Sequence, residues 1–314
     1  MVEIEAGRHT SADAMHLVIS LAEMRALARD LRGQGGGVAL VPTMGALHAG
    51  HLSLMQTARD EGHKLVVSIF VNPTQFGPSE DFNRYPRDLN RDLDRLQPVE
   101  PEAVFAPSAE EMYPTGFGTF VDPGAAAAQW EGASRPGHFR GVCTVVLKLF
   151  NVIAPEVAYF GQKDFQQVVI VRQMLADLNL AVRLVVCPTL REPDGLAISS
   201  RNAYFDAQDR QAAPVLYRSL CGAQQMFRAG ETRAAELLAA VRMRIGREPR
   251  ASLDYAAIVD SAALQPVRQA TPGNVALLAA RVGSVRLIDN LIFGPSDATE
   301  KELIELAIPE ISAR

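Results

Sequence analysis

The sequence predicts a doubly wound, mostly parallel α/β sheet followed by a smaller α+β domain. Over the first 189 residues, short and largely continuous apolar runs alternate with helical stretches, the pattern of strand and helix winding about one sheet. After about Leu190 the pattern changes to long helices and then three strand-like runs. The length of 314 residues exceeds the roughly 100 to 200 of one ordinary domain. The expected division is therefore 1–189 and 190–314, with Pro188 and Pro193 bracketing the change because both disfavour continuous regular structure.

The elements follow in order. Leu17, Leu21, Met24, Leu27 and Leu31 recur at steps of three and four, predicting a helix that stops at Gly33, and Gly35 to Gly37 make a loop. Apolar runs at Val38–Val41, Leu65–Val71, Ala103–Phe105, Val157–Phe160 and Leu184–Cys187 suit parallel strands buried on both faces. Helices are expected at Leu52–Glu61, Thr144–Ile153 and Phe165–Leu178. The second domain begins with helices at Ala207–Phe227 and Thr232–Ile245 and continues with strands at Leu253–Val259, Val275–Ala280 and Val285–Phe293.

Composition narrows the function. Apolar residues make up 48% and charged residues 21%, a globular mixture, and the formal charge of -5 leaves no chain-wide basic field to collect nucleic acid or anionic lipid. Cys143, Cys187 and Cys221 are odd in number and widely spaced, against a disulfide framework or a zinc site. His9, Asp13 and His16 stand where a signal peptide would need a basic start and an apolar run, and no stretch reaches about 18 uncharged apolar residues. A soluble, cytoplasmic protein without membrane or nucleic-acid partners is expected.

In a doubly wound sheet ligands sit beyond the carboxyl ends of the strands, so the loops there are searched for chemistry. Pro42 to His51 includes Met44-Gly45-Ala46-Leu47-His48-Ala49-Gly50-His51 between a strand and a helix start, where outward amides and two imidazoles suit a phosphate chain. The same residues also read as a Gly-rich turn with two solvated histidines. Ile198-Ser199-Ser200-Arg201, after Arg191, offers two hydroxyls and a guanidinium to close over phosphates, although serines are routine helix caps. Gly161-Gln162-Lys163-Asp164 follows a strand: Lys163 can reach phosphates, Asp164 can accept from ribose hydroxyls, and Gln167 comes one turn later, while a capping Asp beside a solvated Lys is the plainer alternative. Asn72 and Gln75 follow another strand and offer uncharged donors, which would leave the lone pairs of a nucleophilic substrate carboxylate free; loop punctuation competes with that reading.

Together these stretches resemble the pantoate–β-alanine ligase family, among the nucleotidyltransferase-like, Rossmann-like folds that carry a HIGH-type motif. The resemblance runs over Val41–Tyr85, Glu131–Gln173, Pro188–Asn202 and Arg286–Asn290. It implies ATP-dependent condensation of pantoate with β-alanine through a pantoyl adenylate, releasing pyrophosphate and AMP. ATP would be bound by Met44 to His51, Gly161 to Asp164, Leu190 and Ile198 to Arg201. The catalytic groups would be His48, His51, Lys163 and Arg201, acting with Mg2+. Gln75, Gln167 and Arg135 would bind pantoate, and Gln75 also β-alanine. Asp88 and Asp92 are candidate magnesium ligands, and a homodimer joined through the N-terminal domain is implied. The chain departs from the family pattern at Gln162, commonly Glu, and at Thr74 and Ile198, commonly Leu or Met. Losing the carboxylate at 162 removes a charge beside Lys163. The alternatives are another nucleotidyltransferase of the same fold, against which Gln75, Gln167 and Arg135 speak, and a catalytically silent nucleotide or RNA binder, against which the intact histidines and the charge balance speak.

Overall fold

A computed structural model describes residues 15–78 and 80–309. The expectation drawn from His9 and Asp13 lies outside the described residues. The first domain contains strands β1 (His16–Val18), β2 (Val38–Thr43), β3 (Lys64–Ile69), β4 (Ala103–Phe105), β5 (Val157–Gly161) and β6 (Arg183–Cys187). Its helices are α1 (Leu21–Gly33), α2 (Ala49–Asp60), α3 (Leu89–Leu96), α4 (Ala109–Met112), α5 (Glu131–Ser134), α6 (His138–Ile153) and α7 (Phe165–Asp177). The strands are all parallel in the order β1-β4-β3-β2-β5-β6.

The continuous apolar runs are explained by burial on both faces. Val38, Leu40, Val66, Ala103, Phe105, Ala158 and Phe160 point into a core shared with α1, α6 and α7. Their alternating neighbours Ala39, Val41, Leu65, Val67, Val104, Val157 and Tyr159 point into a second core with α2 and α3. From β2 the chain builds outward through β3 and β4, and from β5 it builds the other way through β6. The order reverses between β2 and β5, so the crevice beyond their carboxyl ends is where a ligand belongs.

The second domain carries α8 (Ala207–Ala212), α9 (Val215–Arg228), α10 (Ala234–Gly246), the antiparallel sheet β7 (Ala251–Val259), β8 (Val275–Val282) and β9 (Val285–Ile292), and α11 (Glu300–Ala307). One face of this sheet packs under α9 and α10 through Leu278, Ala280, Leu287, Leu216 and Val241. The other, through Ala257, Val259, Val275, Leu277 and Ile292, belongs to the same apolar cluster as α6 and α7, and Ile304 and Ala307 of α11 join it. The two sheets are thus bound by continuous apolar contact.

Several elements differ from expectation, among them the short helices α4, α5 and α11, which carry no long apolar period, and α6, which begins at His138 and not at Thr144. Leu17 lies in the short strand β1 beside β4, and α1 starts only at Leu21, because Ser20 accepts the Glu23 amide and caps the helix there. The single helix expected at 207–227 is two, α8 and α9, divided at Pro214, which has no amide hydrogen to give. The α3 helix, whose sequence LNRDLDRL is mostly polar, went unexpected.

One close approach ties the fold to the crevice. Helix α6 lies against the short 3-10 turn Pro73–Gln75 at Gly141, where an added Cβ would run into the Thr74 carbonyl and stand 2.6 Å from the Gln75 nitrogen. The Gly141 carbonyl accepts a 3.1 Å hydrogen bond from Asn72 Nδ2. Gly141→Ala gains about 1 kcal/mol of helix propensity but forces backbones apart at a typical overpacking cost of about 1–3 kcal/mol. The expected outcome is a lower denaturant midpoint at unchanged m value; an equal or higher midpoint would show that the turn moves aside freely.

Candidate active site

The loop between β2 and α2 is shaped from a distance. Gly45 turns the chain with φ +79, a left-handed conformation that suits glycine, and a Cβ there would lie 2.8 Å from Asp92 Oδ2. Asp92, buried on α3, accepts the Ala46 amide at 2.9 Å through Oδ2 and the Leu47 amide at 2.8 Å through Oδ1. Burial holds the Asp92 carboxyl above the usual range, against the two amides that stabilise its anion.

That loop delivers His48 to the N-cap of α2 and His51 to its first turn. The rings stack with centroids 3.9 Å apart and planes at 22°. Nδ1 of each is buried without a hydrogen-bond partner. Burial, and then the charge of Lys163, push the His48 pKa down to about 4. Burial, then His48 and Lys163, push His51 well below its usual value. Both imidazoles are therefore neutral at neutral pH in the free protein, and they can stack because neither carries a charge.

Lys163 stands on the 3-10 turn Gln162–Asp164 at the carboxyl end of β5. Strand β5 is the neighbour of β2, so Lys163 comes off the sheet beside the loop that leads into α2, and its charge disfavours protonation of both histidines. Lys163, Asp164 and Gln167 line one pocket together with Arg135 and His138. Gln75 joins from the end of β3: its amide nitrogen contacts Met44 Sδ at 3.0 Å, and its carbonyl accepts from His138 Nδ1 at 2.9 Å and Arg135 Nη2 at 3.4 Å. Asn72, expected to face substrate, is instead consumed internally. It donates to Gln75 Oε1 and the Gly141 carbonyl and accepts from Tyr113 Oη and the Thr74 amide, so it sets the orientation of Gln75.

The two arginines are held by adjoining carboxylates. Arg135 donates to Glu80 at 2.6 Å and 3.0 Å, and Arg201 forms a bidentate pair with Asp81 at 3.0 Å and 3.2 Å. Ser199 caps the turn Ser200–Tyr204 through the Arg201 amide, the plainer of the two roles foreseen for it, and Ser200 Oγ lies 3.4 Å from Tyr85 Oη. Leu190 is exposed, and its carbonyl accepts the Ile198 amide at 3.0 Å, which joins the two apolar residues of the loop.

Asp88 and Asp92 are placed otherwise than a metal pair requires. Asp88 caps α3 through the Arg91 amide, both oxygens of Asp92 hold loop amides, and among the described residues no three His, Cys, Asp or Glu are grouped to hold a cation. These carboxylates do not fit a resident magnesium ion. No helix among the described residues is long and apolar enough to cross a membrane.

Arg286 and Asp289, which lie in a family-like stretch but carry no role that the sequence shows, make ion pairs at the boundary between the two sheets. Arg286 on β9 makes a bidentate pair with Glu131 on α5 at 2.8 Å and 2.6 Å and also donates to Asp254 at 2.8 Å. Asp289 holds Arg191 at 2.8 Å and 2.9 Å. The Arg191–Asp289 and Arg286–Glu131 partners lie 98 and 155 positions apart in sequence, and Arg286 and Asp254 lie 32 apart, all beyond any local pattern.

A helix N-terminus with two imidazoles and a lysine on the adjoining strand end, at the switch point of a parallel sheet, is the anion-binding arrangement of the doubly wound α/β class. The comparisons specify the family. The pantoate-beta-alanine ligase family matches residues 16–292. The pantothenate synthetase of Roseiflexus castenholzii is 55% identical over 278 residues, 88% of this chain and 99% of that protein. The crystal structure of pantothenate synthetase from Thermus thermophilus superposes with TM-score 0.84 at 46% identity, covering 89% of this chain and 100% of that one. That of pantoate-beta-alanine ligase from Francisella tularensis, complexed with beta-gamma ATP and beta-alanine, gives TM-score 0.73 at 35% identity over 90% of this chain and 100% of that one. The chain belongs to the pantoate-beta-alanine ligase family.

The histidines carry a prediction. Because the folded His48 pKa lies below that of the unfolded chain, only the unfolded state binds that proton between pH 6.5 and about 4. Stability contributed by neutral His48 is complete above pH 6.5 and is lost as pH falls to about 4; His138, also pushed down to about 4 by burial and then by Arg135, acts in the same direction. Histidine NMR titration should show His48 titrating near 4 without ligand, and a midpoint near 6.5 would mean an open, solvated ring.

Proposed function

We propose that this chain joins (R)-pantoate to β-alanine at the expense of ATP, in the crevice between the carboxyl ends of β2 and β5. The observation that carries the site assignment is the stacked His48–His51 pair at the α2 N-terminus, with Lys163 at the end of the adjoining strand β5. Family membership supports the reaction itself.

In the first step a pantoate carboxylate oxygen attacks the α-phosphorus of ATP. The bond from that phosphorus to the bridging oxygen breaks, and pyrophosphate leaves. A carboxylic acid with a pKa near 4 is already ionised at neutral pH, so no base is needed. The difficulty is electrostatic: two unit charges 4 Å apart repel by about 4 kcal/mol at an effective dielectric of 20. Lys163 offsets this as a full charge, while His48 and His51 act as hydrogen-bonding groups whose protonation rises once a triphosphate is beside them. Arg201 exchanges Asp81 for phosphate oxygens as its loop comes inward. Leu190 and Ile198 provide the apolar rim for the base, and the loop Met44 to Gly50, its Ala46 and Leu47 amides held by Asp92, lines the nucleotide together with Gly161 and Asp164.

Gln75 and Gln167 orient pantoate through neutral amides. Arg135, its charge balanced by Glu80, adds direction without clamping the nucleophile's lone pairs. In the second step the free-base amine of β-alanine, beside Gln75, attacks the acyl carbon. AMP leaves with the bonding pair, and the amine's proton passes out of the site. Magnesium would belong to the nucleotide substrate, whose charge it would partly neutralise, and the homodimer, cytoplasmic location and division at residue 190 are part of the same reading.

Exchange of labelled pyrophosphate into ATP, with pantoate and magnesium present and β-alanine withheld, tests the first step. Pantoate-dependent exchange is expected; none from folded protein that binds ATP would overturn the choice of acid. His51→Ala should lower the single-turnover rate of adenylate formation by about 10²–10³, the usual loss for one donor to developing charge, with ATP affinity little changed. Unchanged turnover in that variant would remove His51 from the chemistry.

A further inference from the structure

Gln162 and Asn290 meet across the boundary between the two sheets. Asn290 lies on β9 and Gln162 opens the 3-10 turn that carries Lys163, and both are buried. Gln162 Nε2 donates to Asn290 Oδ1 at 3.1 Å. Asn290 Nδ2 donates in return to the backbone carbonyls of Gln162 and Lys163, each at 2.9 Å. The two carbonyls fix the amide's orientation, because the opposite one would set oxygen against oxygen at both. A second carboxamide at 162 completes the set. It supplies the hydrogen that Asn290 Oδ1 accepts and leaves both Nδ2 hydrogens for the carbonyls, which a carboxylate there could not do.

The strand behind Asn290 is itself fixed. Arg286, two alternations earlier on the same face, is locked to Glu131, and Asp289 is locked to Arg191 and to the Asn290 amide. The peptide that projects Lys163 is therefore gripped by a side chain from the other domain, on a strand held at two further points. We propose that Asn290 is a positioning residue: it sets the Gln162–Lys163 backbone and so aims the Lys163 ammonium at the nucleotide, coupling the seating of the second domain to the first chemical step. The inference rests on the role given to Lys163 above.

A double-mutant cycle tests it, read as the single-turnover rate of pantoyl adenylate formation at saturating ATP. Asn290→Ala should lower that rate about 10- to 100-fold with the KM for ATP changed less than about threefold, as expected for a displacement of order 1 Å of a charge used in the transition state. In a Lys163→Ala background the same change should cost less than about twofold, because there is no ammonium left to aim. Full multiplication of the two losses would overturn the positioning role while leaving Lys163 in place. A Lys163→Ala enzyme with normal adenylation would overturn the reading of Lys163 beneath it. If Asn290→Ala folds poorly, Asn290→Asp, which keeps the size and removes both carbonyl donors, is taken through the same cycle with the same expected pattern, and multiplication of its losses counts equally against the proposal.

Discussion

A buried carboxylate holds the entrance to this site. Asp92 takes the amides of Ala46 and Leu47 from a loop about 45 residues away, and that pair of hydrogen bonds decides where α2 begins. Without it the loop's amides would be buried with nothing to accept them, each at a cost of about 1–3 kcal/mol. With it, Gly45 turns the chain and His48 and His51 come to stack at the helix N-terminus beside Lys163. The proximity of three basic groups is eased by burial, which favours the uncharged form of both imidazoles, so in the proposed reaction Lys163 meets the phosphates as a cation and the imidazoles gain proton affinity as an anion arrives.

The second constraint is the seating of the small sheet. Its inner face contributes to the apolar cluster of α6 and α7, and its strand β9 grips Glu131, Arg191 and the Lys163 turn with polar groups. Breaking one half of a buried ion pair such as Arg286–Glu131 leaves a charge uncompensated, so these contacts act as geometry as much as stability. The segments over the crevice are held differently. Glu80 and Asp81 cover the guanidiniums of Arg135 and Arg201 in the free protein, partly exposed pairs that a phosphate or carboxylate can replace.

Much of this was legible in sequence because it is local. Apolar runs without alternation announced strands buried on both faces, and Ala103–Phe105 was bounded to the residue. His48, His51, Lys163, Gln75 and Gln167 could be singled out since loops after strands in a wound sheet converge; the structure stacks the two histidines, sets Gln75 against Met44 of their loop, and lines one pocket with Lys163 and Gln167. What escaped was non-local or polar. Asp92, a candidate magnesium ligand in the sequence, is the loop's anchor, Asn72 looked like a substrate donor and proved to orient Gln75, and Pro214 divides a helix whose apolar period runs through it. The imidazoles' neutrality depends on burial and on Lys163, neither of which spacing reveals.

A crystal structure with pantoate and an ATP analogue whose α,β-bridge cannot be cleaved tests the central claim most directly. The expected map has the α-phosphate within about 3 Å of a histidine of the α2 N-terminus and of Lys163, and the pantoate carboxylate between Gln75 and Gln167. A triphosphate bound elsewhere, with the stacked rings and Lys163 untouched, would contradict it.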